Sequence, residues 1–258
     1  MDVDNLTVRA VRECALRIAE KFEPTEVVGL GDLLECAPFS RHAPSSAASV
    51  KAMGYVEQEI EPAQRFLDRL QDASRRMTLI MGNHEHRAER WAIEHGLGGA
   101  DAKLLRPSHL LRQRLDGTKR KAIEIVEYAG AALPHAKIAP NLIATHGWSF
   151  AANALQKCLD LARSASVVTG HIHRAQESVT RNPLTGETYY GWSPGCLCSR
   201  TPDYRAHSPT NCAWGVTLIY RSKSDPRDWT HYHVRIEERG NAVRAIMPDG
   251  AAIAVKVG

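Results

Sequence analysis

The chain has 258 residues, which is enough for one well-buried domain, and its 43% hydrophobic and 24% charged residues are ordinary for a folded globular protein. Its formal net charge of +4 admits an acidic substrate but is far from the dense Lys/Arg surface of a dedicated nucleic-acid binder. No apolar run is long enough to cross a membrane and charges interrupt the first residues, so we expect a cytoplasmic protein with no membrane partner.

The predicted elements begin with an amphipathic helix capped at Asp4 or Asn5, whose apolar residues recur every three or four positions. A short buried strand follows at 26–30. After a loop, a long helical pattern runs to about Arg76. We expect Pro62 to bend or break this helix, because proline lacks an amide hydrogen and crowds the preceding turn.

The rest of the chain alternates between buried strands and helices up to about residue 173 and then becomes antiparallel. The segment 182–186 has the composition of a turn between two strands. We therefore predict an α/β fold in a single domain, 1–258, with an insertion or cap at about 100–131. The predicted elements are strands at 77–81, 123–128, 141–144, 167–169, 216–220, 231–236 and 251–257, and helices at 89–94, 110–115 and 150–163.

Six cysteines occur along the chain, at positions 14, 36, 158, 196, 198 and 212. None forms a Cys-x-x-Cys pair, and the spacing of Cys196 and Cys198 does not match a zinc knuckle. We interpret all six as free, mostly buried thiols in a reducing compartment, and we expect them to have no role in metal binding or redox chemistry.

Four short polar motifs, each at the end of a buried run, carry the functional information. In open α/β sheets, ligands bind outside the carboxyl ends of the strands, so we expect these motifs to deliver an Asp, an Asn and several His to one crevice. Taken singly, a histidine at a strand end is usually a satisfied polar residue, and Gly-Asn is a turn signal. Together the motifs predict a metal site. They are Gly31-Asp32-Leu33-Leu34-Glu35, Gly82-Asn83-His84-Glu85, Thr145-His146-Gly147 and Gly170-His171-Ile172-His173.

In this order the motifs resemble those of the calcineurin-like metallophosphoesterases, a superfamily that includes phosphatases, phosphodiesterases and nucleases. The resemblance extends from about Val27 to Gly195. It implies a sandwich of two mixed β-sheets flanked by helices, with a binuclear metal centre at one edge.

The resemblance also implies the metal ligands. Asp32 matches the carboxylate that bridges both ions, and Asn83, His146 and His171 match the remaining ligands of one ion. His173 matches a ligand of the other ion. This mixture of carboxylate, amide and imidazole donors suits Mn²⁺ first, with Fe or Zn²⁺ as alternatives.

Two further residues match catalytic positions. His84 corresponds to a histidine that binds no metal and stabilises or protonates the leaving oxygen, and Glu35 stands where many members have an Asp that orients this histidine. A water activated between two ions attacks phosphorus in line, so no Ser or Cys nucleophile is needed.

We therefore expect a metal-dependent phosphoesterase, a hydrolase whose substrate is a phosphate ester. A phosphodiester, which includes nucleic acid, is favoured over a small monoester by the mildly basic chain and by an insertion that would border an extended groove. The alternatives are a phosphomonoesterase or protein phosphatase, and a catalytically silent member of the fold that acts as a binding or scaffold protein.

One family motif is missing. The family pattern begins with Asp-x-His at the end of a first strand, which supplies two ligands to the ion that His173 also binds, and this chain has no Asp-x-His. We therefore expect either a functional start upstream of Met1 or an impaired form that binds one ion tightly rather than two.

Overall fold

The computed structural model describes residues 5–36, 39–40, 48–116, 123–128, 133–201 and 210–258, with the backbone alone described in 48–58 and 114–116. These residues form a mixed α/β structure with three sheets. None of the described helices combines the length and apolar character needed to cross a membrane. In chain order the elements are α1 (Leu6–Phe22), β1 (Glu26–Gly29), α2 (Ala48–Asp72), β2 (Arg76–Ile80), α3 (His86–Glu94), α4 (Gly99–Leu104), α5 (Pro107–Asp116), β3 (Ile123–Val126), β4 (His135–Ala139), β5 (Leu142–Thr145), α6 (Ala154–Ala162), β6 (Ser166–Thr169), β7 (Ala175–Arg181), β8 (Thr188–Pro194), β9 (Trp214–Arg221), β10 (Trp229–Arg239), β11 (Ala242–Ile246) and β12 (Ala252–Lys256).

The chain divides into two compact units. The first is Glu23–Pro134, and the second joins Asp2–Phe22 to His135–Gly258. The single domain with an insertion at about 100–131 stays a prediction, although β3 within that segment belongs to the sheet of the first unit. The basic run 119–121 lies outside the described residues.

A parallel sheet in the order β1-β2-β3 forms the centre of the first unit. The pairing is in register to the strand ends, since Gly29 lies opposite Leu79 and Ile80 lies opposite Val126. This confirms the strands predicted at 26–30 and 77–81 and their parallel relationship, but the predicted burial holds only for β2, since the residues of β1 are half-buried.

Helix α2 packs on this sheet through one apolar stripe. Ile60, Ala63 and Leu67 recur at helical spacing and are buried in one cluster with Met77 of β2. The break expected at Pro62 does not occur, because α2 continues through it, and the alternative of a bend stays a prediction. Burial of the stripe on both sides of Pro62 offsets the roughly 3 kcal/mol that an interior proline costs.

The second unit contains two sheets. A mixed sheet has the order β4-β5-β6-β8-β7, and an antiparallel sheet has the order β12-β11-β10-β9. Thr145 at the end of β5 lies opposite Thr169 at the end of β6 in a parallel pair, as predicted. The predicted turn at 182–186 joins β7 to β8. Strand β11 has no counterpart among the predicted elements.

Helix α1 packs on the antiparallel sheet of the second unit. The side chain of Asn5 accepts a hydrogen bond from the backbone amide of Val8 at 3.1 Å, which confirms Asn5 as the N-cap. Val11 and Ile18 lie on one face of the helix and are buried together with Val243 of β11. The predicted amphipathic pattern therefore describes the buried face of this helix.

A buried ion pair in the first unit ties α3 to the residue before α5. Glu89 is only 6% exposed, and its carboxylate accepts two hydrogen bonds of 2.7 Å from the guanidinium of Arg106. Burial raises the pKa of Glu89, but the hydrogen bonds and charge of Arg106 outweigh it, so that the pKa lies below its ordinary value.

We predict that Arg106→Met destabilises the protein by about 3 kcal/mol, because it leaves the Glu89 carboxylate buried without its cation. The folded-state pKa of Glu89 is lowered, so the pair stabilises fully above the unfolded-state pKa and loses this contribution as pH falls through the folded-state value. In urea unfolding from neutral to acidic pH, the stability advantage of the wild type over Glu89→Gln should therefore shrink. A constant advantage would contradict this, and the exposed Glu94→Gln on the same helix is the control.

Candidate functional site

Buried carboxylates hold the loop that follows β1. Glu85 is 3% exposed and accepts hydrogen bonds from the backbone amides of Asp32, Leu34 and Gly82 at 3.1, 2.8 and 2.8 Å. Asp32 has a φ of +54°, which is uncommon for a residue with a side chain. The three hydrogen bonds therefore stabilise a conformation that the loop alone does not favour.

A second carboxylate acts in the same way further along the loop. One oxygen of Glu59, on α2, accepts hydrogen bonds from the amides of Glu35 at 2.8 Å and Cys36 at 3.3 Å. The sequence analysis gave no role to Glu59 or Glu85. Glu85 is the last residue of the second polar motif, and this position is the signal that could have identified it. Glu59 lies inside a helix, where no pattern marks it.

His84 lies between two carboxylates. Its backbone amide donates to Asp32 Oδ1 at 3.0 Å, and its ring Nε2 lies 3.7 Å from Asp32 Oδ2. Its ring Nδ1 lies 3.3 Å from Glu35 Oε2. The ring is almost fully buried, so these carboxylates are the charges that it meets at shortest range among the contacts described.

Arg87 holds Glu35 in place. Its Nη1 donates to the backbone oxygen of Glu35 at 2.9 Å and to the carboxylate at 3.2 Å. Burial raises the pKa of Glu35, but His84 and Arg87 outweigh it, and the pKa lies below its ordinary value. Glu35 is therefore ionised at neutral pH and interacts with His84 as an anion.

Asn83, half-buried, directly precedes His84.

Two histidines meet at the carboxyl ends of β5 and β6 in the second unit. His171 Nδ1 lies 3.1 Å from His146 Nε2, and both rings are buried. Two nitrogens that bind one ion at about 2.0–2.1 Å are separated by roughly 2.9–3.4 Å. The pair therefore has the spacing of two ligands of one ion, which is also the spacing of an N–H···N hydrogen bond.

The backbone around His146 is fixed by its neighbours. Thr169 Oγ1 donates to the carbonyl of His146 at 3.1 Å. Gly147 has a φ of +89°, and a Cβ at this position would lie 2.6 Å from Thr169 Oγ1. The close approach of the two strand ends therefore requires glycine in the third motif.

His173 lies among cysteines. Its Nδ1 is 3.9 Å from Cys198 Sγ, and the ligand atoms of His173, Cys196 and Cys198 all lie within 4.8 Å of one another. The thiol of Cys212 also hydrogen-bonds to the His173 side chain. The prediction of mostly buried thiols is wrong for these three half-buried cysteines and holds for the remaining set, which is Cys14, Cys36 and Cys158.

The members of this cluster shift the pKa values of one another. Burial lowers the pKa of His173, but the thiols of Cys198 and Cys212 outweigh it and raise the pKa to about 10. The hydrogen bond from His173 in turn lowers the pKa of Cys212, and Cys198 lowers the pKa of Cys196, whereas Cys196 and burial raise the pKa of Cys198. An imidazolium beside a thiol favours the thiolate, which is the form that binds metals.

Comparison of the chain with models of protein families, with curated proteins and with solved structures found no match. The predicted site residues that lie in contact are Asp32, His84 and Glu35 in the first unit, and His146 and His171 in the second, while His173 contacts Cys198.

We predict that Glu85→Gln lowers the free energy of unfolding by about 2–3 kcal/mol. In the variant, an NH2 group replaces one carboxylate oxygen. A backbone N–H that donates to this oxygen in the wild type then faces another donor. Urea unfolding at neutral pH measures the loss. Glu61→Gln, at an exposed position of α2, is the matched control, and an equal effect of the two substitutions would refute the role of Glu85.

Proposed function

We propose that the protein is a metal-dependent phosphoesterase with the two-sheet sandwich fold of the calcineurin-like superfamily and with the ligands of one of its two ions. The observation that carries the proposal is the position of His84 between the carboxylates of Asp32 and Glu35. His173 contacts Cys198, and the proposal does not depend on it as a ligand. The proposed metal ligands are Asp32, Asn83, His146 and His171, and the proposed catalytic pair is His84 with Glu35.

The donor set fits a divalent ion. The two imidazole nitrogens of His146 and His171 lie 3.1 Å apart, and carboxylate and amide oxygens complete a set that suits Mn²⁺, Fe or Zn²⁺. When bound, the divalent ions of such a centre supply an activated water and a positive clamp on the phosphate oxygens. The hydrogen bond that the Asp32 amide donates to the Glu85 carboxylate supports the strained Asp32 in this role.

His84 is suited to protonate the leaving oxygen. Ionised Glu35 lies 3.3 Å from its Nδ1 and orients the ring, while Arg87 keeps the Glu35 carboxylate in place. Nε2 is then the nitrogen that donates, on the side of the ring that faces Asp32. Proton donation of this kind is commonly worth ~10²–10⁴ in rate.

The substrate that we propose is a phosphodiester, because a mildly basic chain with a net charge of +4 suits an extended anionic ligand such as nucleic acid. The second candidate is a catalytically silent binding protein, which the lack of an Asp-x-His motif favours. Hydrolysis of bis-p-nitrophenyl phosphate and of p-nitrophenyl phosphate with added Mn²⁺ separates the candidates. Turnover of the diester supports the first, and metal binding without turnover of either supports the second.

We predict that His84→Asn lowers kcat for the preferred substrate by ~10²-fold or more with unchanged metal content, because only proton donation is lost. Metal analysis of the same preparation accompanies the kinetics. The control is His95→Asn, at an exposed position directly after α3, which should keep both activity and metal. Loss of the ion from His84→Asn would identify His84 as a ligand and overturn its catalytic role.

A second prediction concerns the shared ion. Asp32→Asn and His171→Gln should each lose one bound Mn²⁺ and the activity with it, since both residues are proposed ligands of the same ion. The double variant should lose one ion as well, not two. Metal stoichiometry by elemental analysis gives the result, and loss of two ions from the double variant would show that the residues serve separate sites.

A further inference from the structure

We propose that His173, Cys196, Cys198 and Cys212 form a separate metal site in the second unit that binds a soft divalent ion such as Zn²⁺. Three thiolates and one imidazole are a donor set of closed structural zinc sites. The inference does not rest on the proposed phosphoesterase activity, because none of these residues is a ligand in that proposal. It assigns a role to three cysteines that the sequence pattern left without one.

The spacing of the donors supports the site. His173 Nδ1 and Cys198 Sγ lie 3.9 Å apart, and the ligand atoms of His173, Cys196 and Cys198 lie within 4.8 Å of one another. Around zinc such atoms are separated by roughly 3.5–3.8 Å, so a contraction of about 1.3 Å or less closes this group of three. Cys212 interacts with the same imidazole and is the proposed fourth ligand.

The backbone brings the three ligand segments together. The amide of Ala213 donates to the carbonyl of His173 at 2.9 Å, and the carbonyl of Ala213 accepts from the amide of Cys196 at 2.9 Å. One residue therefore joins the first segment to the second, and Cys212 precedes it directly. The side chain of Trp214 donates to the carbonyl of Cys198 at 2.8 Å and fixes the other end of the cysteine pair.

Glycine at position 195 makes this approach feasible. Gly195 has a φ of +94°, and a Cβ there would lie 2.1 Å from the carbonyl oxygen of Ala213. Any larger residue would separate the Cys196 segment from Ala213. The protein fold thus holds the ligand segments in place before an ion binds, which lowers the entropic cost of binding.

The loop of the fourth motif directs two histidine side chains to different neighbours. His171 and His173 both have positive φ, at 66° and 57°, with the buried Ile172 between them. This geometry brings the ring of His171 to His146 and the ring of His173 to Cys198. The two histidines therefore act in different clusters although they are two residues apart.

Cobalt titration tests the proposal. The full chain is purified with reductant, stripped with a chelator and titrated with Co²⁺, which reports bound thiolate by a sulfur-to-cobalt charge-transfer band. We expect a band with the intensity of three thiolates, abolished by added Zn²⁺. Absence of the band in the wild-type protein overturns the proposal, as does a disulfide between Cys196 and Cys198 in the reduced preparation.

Single substitutions assign the ligands. Cys196→Ser, Cys198→Ser and Cys212→Ser should each remove one thiolate's share of the band. Each should also lower Zn²⁺ affinity by at least about 10²-fold, more than is usual for residues that only orient a ligand. Full intensity in Cys212→Ser would overturn the fourth ligand.

Two further variants control the experiment. Cys158→Ser replaces a buried thiol of α6 in the same unit and should leave the band unchanged. His171→Gln should also keep the thiolate band, because His171 lies with His146. Loss of the band in either variant would overturn the assignment of the signal to this cluster.

Discussion

In a parallel pair of strands whose last residues are partners, the segments that follow leave the sheet side by side. Gly29, the last residue of β1, lies opposite Leu79 of β2, and Thr145, the last residue of β5, lies opposite Thr169 at the end of β6. This register is the reason why Asp32 meets His84 in the first unit and His146 meets His171 in the second. Without it, neither pair would come within contact distance, and the buried carboxylates would have no loop to hold.

Several polar residues of these loops have left-handed backbone conformations. Asp32, Cys36, His171 and His173 all have positive φ, which costs of order 1–3 kcal/mol for each such residue unless the surroundings compensate. In the loop after β1, buried carboxylates accept the amide hydrogens of the strained residues. The packing of each unit therefore stabilises backbone conformations that these polar residues would not adopt in isolation.

Local patterns in the sequence were sufficient to predict the positions of the parallel strands, the N-cap at Asn5 and the hairpin at 182–186, because each depends on neighbouring residues alone. They were insufficient where distant contacts decide. The burial of flanking residues carries α2 through Pro62, and Glu59 gains its partners from a loop more than twenty positions away. Strand β11 is short, and the residues beside it in the sequence provide few of the signals that indicate a strand.

The cysteine cluster shows the same limit more sharply. Spacing rules recognise metal ligands that come in close pairs, whereas these ligands come from three segments, at 173, 196–198 and 212. Their meeting depends on two backbone hydrogen bonds of Ala213 and on the missing side chain of Gly195. No rule based on residue type and spacing contains that information.

The second unit is discontinuous in sequence, since α1 precedes the first unit and its partner strands follow it. Arg17 of α1 donates to the carbonyl of Ala254, 237 residues later. During synthesis the helix is released long before β11 and β12 exist, so its apolar face stays uncovered while the first unit is being made. Contacts of such long range slow folding and prolong exposure to aggregation. This chain is therefore of the kind whose folding yield in the cell depends on protection of one early helix.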